Sequence, residues 1–182
     1  MKKAIAILEF TTVSTGLKAA DLLAKTAELD IIEAGAVCPG KYMIIVAGQL
    51  AAVTAATEAA IKTYGERYIS SFILGNPHES LLPAFYGSTE ISNLLALGVV
   101  ETFDAATAIK AADTAVKTAI VDLIEIRLAK GMCGKSYVTL TGDVAAVTAA
   151  IDSARAVASD AGMLLDSAVI SNPDKKLVQF LL

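Results

Sequence analysis

The chain has no tryptophan, two cysteines, one histidine and four prolines, and only 19% of its 182 residues are charged. Each scarcity excludes something. With Cys38, Cys133 and His78 as the whole supply of thiols and imidazoles, no metal-ligand spacing can be written within one chain. No Ser/His/Asp or Cys/His arrangement is visible either. Two cysteines do not make the disulfide framework of a small secreted domain, and they read as thiols or metal ligands in a reducing compartment. The net charge is -4, without a basic run or an Arg/Lys cluster interleaved with aromatics, which argues against nucleic-acid binding. Long apolar runs are missing too. A spanning helix needs about 20 uninterrupted apolar residues, whereas the runs here are broken by charge, as between Lys18, Asp21 and Lys25. Met1-Lys2-Lys3 is followed at once by a short run ending in Glu9, which is not a signal-peptide pattern. The expectation is a soluble, cytosolic protein with no membrane and no nucleic-acid partner.

What is present is apolar mass. Hydrophobic residues make up 55% of the chain, and many of them are alanine. So few charges cannot coat a monomer of this size, which predicts that much of the surface is buried against other subunits.

The pattern along the chain is a duplication. Lys3 to Phe10 reads as a buried strand, and a helix opens at Thr15-Gly16 with Leu17, Ala20, Ala24 and Ala27 on one apolar face. Asp30 to Val37 is a second strand, and Cys38-Pro39-Gly40 reverses the chain. Tyr42 to Ala47 is almost wholly apolar and predicts a central strand. A helix over Ala51 to Tyr64, with Val53, Ala56 and Ala60 on one side, leads to a last strand, Tyr68 to Leu74. The order is β-α-β-β-α-β, the ferredoxin-like, split βαβ pattern. The second half repeats it: Glu9, Asp21, Lys25 and Glu33 recur 92 positions on as Glu101, Asp113, Lys117 and Glu125. Beyond the first turn the offset becomes 94, so Lys41 matches Lys135 and Gly48 matches Gly142. Asn76-Pro77 recurs as Asn172-Pro173. A repeat of this kind predicts an α+β chain of two tandem domains, residues 3–80 and 96–182, joined by a linker over 81–95. The change of offset places a two-residue insertion in the second turn.

The two cysteines lie in those turns, Cys38-Pro39-Gly40-Lys41 and Met132-Cys133-Gly134-Lys135. A free cysteine is ordinarily a small buried hydrophobe, so the bland reading of Cys38 stands beside any chemical one. Ala129 to Ser136 nearly matches a phosphate-binding loop, but that motif needs a helix after its Lys-Ser, and Tyr137 to Thr141 reads as a strand. His78, beside Glu79, reads as a surface or capping residue, and Glu9 and Glu101 as strand carboxylates that fix contacts rather than an acid/base pair. A small regulatory or enzymatic domain binding an anion at the Gly-Lys turns is the reading from another class, and a monomeric mass would favour it.

Leu8-Glu9 and Val100-Glu101, the two Ala-Ala-Asp-x-x-x-Lys helices, the Gly-Lys turns and the Asn-Pro closers together resemble the bacterial microcompartment shell domain, present twice. The resemblance covers nearly the whole chain in unpermuted order. It implies a structural, non-enzymatic shell protein: a homotrimer that looks like a hexamer, tiles with other shell proteins and sits in the microcompartment shell. Cys38-Pro39-Gly40-Lys41 resembles the pore loop of the propanediol-utilisation-type trimer, which implies one 4Fe-4S iron–sulfur cluster per trimer. Since a cluster wants about four thiolates, three chains would each bring one Cys38 to a shared axis, leaving one iron for an outside ligand. Electrons would then pass across the shell to a redox enzyme or electron carrier. The other reading is a tile whose pore conducts a metabolite and holds no cluster. In either case Pro39, Gly40, Lys41, Met132, Cys133 and Gly134 would line the pore, with Lys41, Lys130 and Lys135 adding positive charge that favours a thiolate. Lys25, Lys117, Asn76 and Asn172 would sit at the tile edges, where many such domains carry Arg-Pro-His in place of the Asn.

Overall fold

In the computed structural model, the described residues are 3–88, 94–178 and 180, without the side chains of Lys3 and Val178. The chain divides into two compact units, Met1–Pro77 and His78–Leu182.

The first unit runs β1 (Lys3–Phe10), α1 (Val13–Thr26), β2 (Leu29–Val37), β3 (Lys41–Gln49), α2 (Leu50–Tyr64) and β4 (Tyr68–Gly75), with a short 3-10 turn at Gly65–Arg67. Its sheet has the order β2-β3-β1-β4, and each neighbouring pair is antiparallel. β3 is therefore central, which is why its run from Tyr42 to Ala47 can be apolar on both faces. Alternation along β1 sends Ala4, Ala6, Leu8 and Phe10 to the helix side, where they meet Ala19, Ala20 and Leu23 of α1 and Val53, Ala56 and Ala60 of α2. Phe10 packs edge-on against Tyr64 and Tyr68, with centroids 6.5 and 6.3 Å away.

The second unit is assembled the same way. It opens with α3 (Leu81–Phe85), followed by β5 (Ala96–Thr102), α4 (Ala105–Thr118), β6 (Asp122–Leu128), β7 (Ser136–Gly142), α5 (Val144–Asp160), β8 (Leu164–Ser171) and α6 (Lys175–Val178). The sheet order is β6-β7-β5-β8, again antiparallel throughout. Irregularities recur at matching places: β2 slips between Ile31 and Glu33 where β6 slips between Leu123 and Glu125, and β1 at Glu9/Phe10 matches β5 at Glu101/Thr102. Bulges are features of a fold rather than noise, and their agreement makes the duplication structural.

Two expectations need correction. Helix α1 does not open at Thr15 but is capped by Thr12, whose hydroxyl accepts from the Thr15 amide at 3.4 Å, as Asp104 caps α4 through Thr107 at 3.3 Å. Its buried face is Gly16, Ala19, Ala20 and Leu23, while Leu17 is 56% exposed and Ala24 lies outside. Gly16 is the reason: without a side chain it seats the helix against the ring of Tyr42, which rotates the packed stripe away from Leu17. The stretch read as a linker carries α3, with Leu81 and Ala84 buried, and its residues 89–93 lie outside the described residues.

Candidate functional site

The first Cys-bearing turn is as short as the register permits. β2 and β3 pair down to Val37 opposite Lys41, which leaves Cys38, Pro39 and Gly40 to reverse the chain. The Gly40 amide donates to the Val37 carbonyl at 2.8 Å, and Gly40 has φ +98°, a value natural to glycine. The Cys38–Pro39 peptide is cis. Pro39 and Gly40 are exposed and Cys38 is half-buried, so its thiol stands at a hairpin tip rather than in the core. Behind the tip, the Lys41 ammonium donates to Glu9 Oε1 at 2.8 Å, and Ser70 Oγ donates to Glu9 Oε2 at 3.1 Å. Glu9 is 7% exposed, so this pair locks β3 to β1 at the base of the turn. The positive charge expected of Lys41 at the tip is balanced by that carboxylate.

The second turn spans Ala129 to Lys135 between β6 and β7: it holds the two-residue insertion that the offset indicated, and the strands stop one residue earlier on each side, at Leu128 and Ser136. Ala129, Gly131, Cys133 and Gly134 all have positive φ, from +53° to +90°. The Lys135 amide donates to the Met132 carbonyl at 3.1 Å, and the Ala129 amide donates to Ser136 Oγ at 3.1 Å. Cys133 is exposed, Met132 and Lys135 are half-buried and Gly134 is buried. β7 follows directly, so no helix points its amides at this loop and the phosphate-binding motif is absent. Among the described residues, no three His, Cys, Asp or Glu side chains are grouped to hold a metal within one chain. The thiol supply is one half-buried Cys38 per first unit and one exposed Cys133 per second unit.

The sequence reading missed a cluster on the face of the second sheet away from α4 and α5. Glu125 Oε1 accepts from Arg127 Nε at 2.8 Å, and Glu125 Oε2 accepts from the Tyr137 hydroxyl at 2.7 Å. The Arg127 guanidinium lies 5.7 Å from the Tyr137 ring centroid. Burial, then the hydrogen bond to Glu125 and the charge of that carboxylate, push the Tyr137 phenol up to about 12, with Arg127 opposing. Its own hydrogen bond to Glu125, then the charge of that carboxylate, raises Arg127. The available signal was Glu125 and Arg127 two apart on one strand, with Tyr137 opposite Arg127 once the hairpin register is set. A cavity of about 330 Å³ opens beside this cluster.

The residues expected at tile edges are held locally. Lys25 pairs with Asp21 at 2.6 Å on an exposed helix face. Lys117 pairs with Asp113 at the same distance, but Asp113 is 6% exposed and its second oxygen accepts from the His78 amide at 2.8 Å. The His78 ring shares a hydrogen bond of 2.8 Å between Nδ1 and Ser80 Oγ and accepts from the Ser80 amide at 3.3 Å, just ahead of α3. Asn76 and Asn172 follow β4 and β8 with φ of 54° and 49°, a left-handed conformation that asparagine tolerates and arginine does not favour.

The BMC domain family model matches residues 4–77 and 96–173. The bacterial microcompartment shell protein PduT of Citrobacter freundii is 35% identical over 177 residues, 97% of this chain and 96% of that protein. A microcompartment protein from Desulfitobacterium hafniense superposes with a TM-score of 0.95 at 41% identity, over 98% of this chain and 99% of the other. A fused permuted hexameric shell protein from the RMM microcompartment shares the fold more distantly, with a TM-score of 0.59 and 24% identity over 87% and 82% of the two chains.

Proposed function

The chain belongs to the BMC-domain family and is a structural component of the bacterial microcompartment shell; from that premise we propose that it works as a homotrimer whose three Cys38 thiolates hold one 4Fe-4S cluster at the central pore. The observation that carries this reading is the setting of Cys38. It is half-buried at the tip of a three-residue turn whose base is fixed by Glu9, Lys41 and Ser70. A thiol meant only to fill a core would lie among the strands.

The fit to a cluster is one of arithmetic and access. One chain supplies one thiolate at this turn, far short of the roughly four that a cluster takes. A three-fold axis would supply three Cys38, leaving one iron for an outside ligand. When bound, such a cluster would supply one-electron transfer between the two faces of the shell. The chain's own part is to hold the thiol: Pro39 and Gly40 shape the turn, and the Glu9–Lys41 pair keeps its base from shifting. Cys133, exposed in the longer turn, would line the pore with Met132 and Gly134 without ligating. Neighbouring tiles would meet near Lys25, Lys117, Asn76 and Asn172, and an electron carrier would dock over the pore.

Protein purified without oxygen should be brown and run as a trimer by light scattering, and Cys38→Ser should stay trimeric and lose the colour. A colourless trimer after anaerobic reconstitution would leave a structural tile with a metabolite pore. A monomer would overturn the assembly as well.

A further inference from the structure

The two sheets differ most on the face away from their helices. In the first unit that face carries Ile7, Met43 and Ile45, all 3% exposed or less, with Glu33 opposite Ile45 as Glu125 is opposite Thr139, and Glu9 there is paired with Lys41 and Ser70. At the matching positions the second unit has Val99, Tyr137 and Thr139, with Glu101 in the place of Glu9. The repeat has therefore replaced a sealed apolar surface by hydroxyls around a carboxylate. Lys135 matches Lys41, yet it makes no ion pair with Glu101. No hydrogen bond or ion pair with another described residue reaches Glu101. In this unit the two-residue insertion lies just before Lys135, at the point where the ammonium would have to turn in.

What stands in the place of the lost pair is space. The cavity of about 330 Å³ is lined by Val99, Glu101, Glu125, Tyr137 and Thr139, with Met132 and Phe180 as further apolar wall. That volume falls at the small end of the roughly 300–1,000 Å³ typical of small-molecule sites. The charges around it are unbalanced. Glu125 is paired with Arg127, whereas Glu101 faces Tyr137 on one neighbouring strand and Asp166 on the other. The Tyr137 proton is committed to Glu125, so its oxygen offers the cavity an acceptor. Thr139 is 6% exposed and adds a hydroxyl.

We propose that this cavity is a binding site for a small organic ammonium ion, with Glu101 as its anchor, the Tyr137 and Thr139 oxygens as further acceptors, and Val99 and Met132 against the alkyl part. The ammonium takes the position that the Lys41 head occupies in the first unit. The first unit has no such site, because Glu9 is already paired there and the matching apolar side chains are buried. The inference goes beyond the shell and cluster reading and does not depend on Cys38.

Titration calorimetry of the whole protein with n-butylammonium chloride at low salt tests it, with n-butanol as the neutral counterpart. The ammonium should bind saturably with a dissociation constant on the order of 1 mM, and n-butanol should bind about tenfold more weakly or not at all. Glu101→Gln should weaken the ammonium by about ten- to a hundredfold, and Cys38→Ser should leave it unchanged. Should Glu101→Gln not fold, Val99→Phe, which fills the cavity and keeps the carboxylate, must abolish binding. Absence of saturable binding in the native protein, equal binding of n-butanol, or unchanged binding in either variant overturns the proposal. Loss of amine binding in Cys38→Ser also overturns it, because the pore and not the Glu101 cavity would then be the site.

Discussion

Replacing Gly16 by alanine should destabilise the first unit, against the ordinary trend for helices. Within a helix, alanine is favoured over glycine by up to about 1 kcal/mol, so Gly16→Ala, four residues into α1, would normally gain stability. Here the added methyl would lie 2.2 Å from Tyr42 Cδ1, 2.3 Å from Cγ and 2.5 Å from Cβ. Carbon atoms rest about 3.5–4.0 Å apart. Turning the ring does not clear the contact, because Tyr42 Cβ is fixed to the central strand β3. Either α1 lifts from the sheet or β3 shifts, and overpacking of this kind costs about 1–3 kcal/mol or more. We expect a net loss of about 2 kcal/mol and a midpoint lower by about 10 °C. The second unit shows the alternative solution: its matching residues are Ala108 and Ser136, both buried, a methyl where the glycine was and a small side chain where the ring was. Gly16→Ala should therefore change sign in a Tyr42→Ser background and stabilise by up to about 1 kcal/mol. Unfolding followed by circular dichroism, at one fixed protomer concentration because assembly contributes to stability, reads both effects. A Gly16→Ala midpoint equal to or above that of the parent protein would refute the reasoning.

Two further outcomes follow from the polar contacts. Lys41→Met leaves the Glu9 carboxylate with Ser70 alone at a site 7% exposed, and it should cost about 2 kcal/mol, less than the loss for a fully buried pair because the Lys41 end meets water. Adding Glu9→Gln should recover about half of that in a double-mutant cycle; additive losses would mean that the pair is not coupled. Tyr137 should ionise at about 12, and Glu125→Gln should lower that value without restoring the ordinary one, because burial is the larger cause. A phenol whose folded value is raised adds stability that is complete below about 10 and fades as pH rises through about 12. Tyr137→Phe should remove that alkaline loss, as measured by unfolding across the window.

The fold was legible because it is written twice. Matching pairs such as Glu9/Glu101 and Gly48/Gly142 give the order of elements, and the step in offset between Glu33/Glu125 and Lys41/Lys135 locates the longer turn. Periodicity failed on α1, where Leu17 outweighed Gly16 in a hydrophobic pattern although Gly16 makes the contact. It also passed over α3, five residues with a proline inside, whose order comes from burying Leu81 and Ala84. The turn with Cys38 stood out by composition, but the contacts that brace it did not. The Lys41–Glu9 pair joins positions 32 apart, and the Glu125–Tyr137 bond needs the hairpin register. The Asp113 bond to the His78 amide joins positions 35 apart and breaks the likeness between Asp21 and Asp113 that the repeat suggests. Alignment of the halves finds what they share. The unpaired Glu101 and its cavity arise from where they differ.

The claim that three Cys38 thiolates share one cluster is met most directly by counting iron and acid-labile sulfide in protein kept free of oxygen. A trimer-bound 4Fe-4S cluster predicts about four irons and four sulfides per three chains, with both falling to background in Cys38→Ser and neither changing in Cys133→Ser. Iron that survives the loss of Cys38, or a native trimer that takes up none on reconstitution, would contradict it.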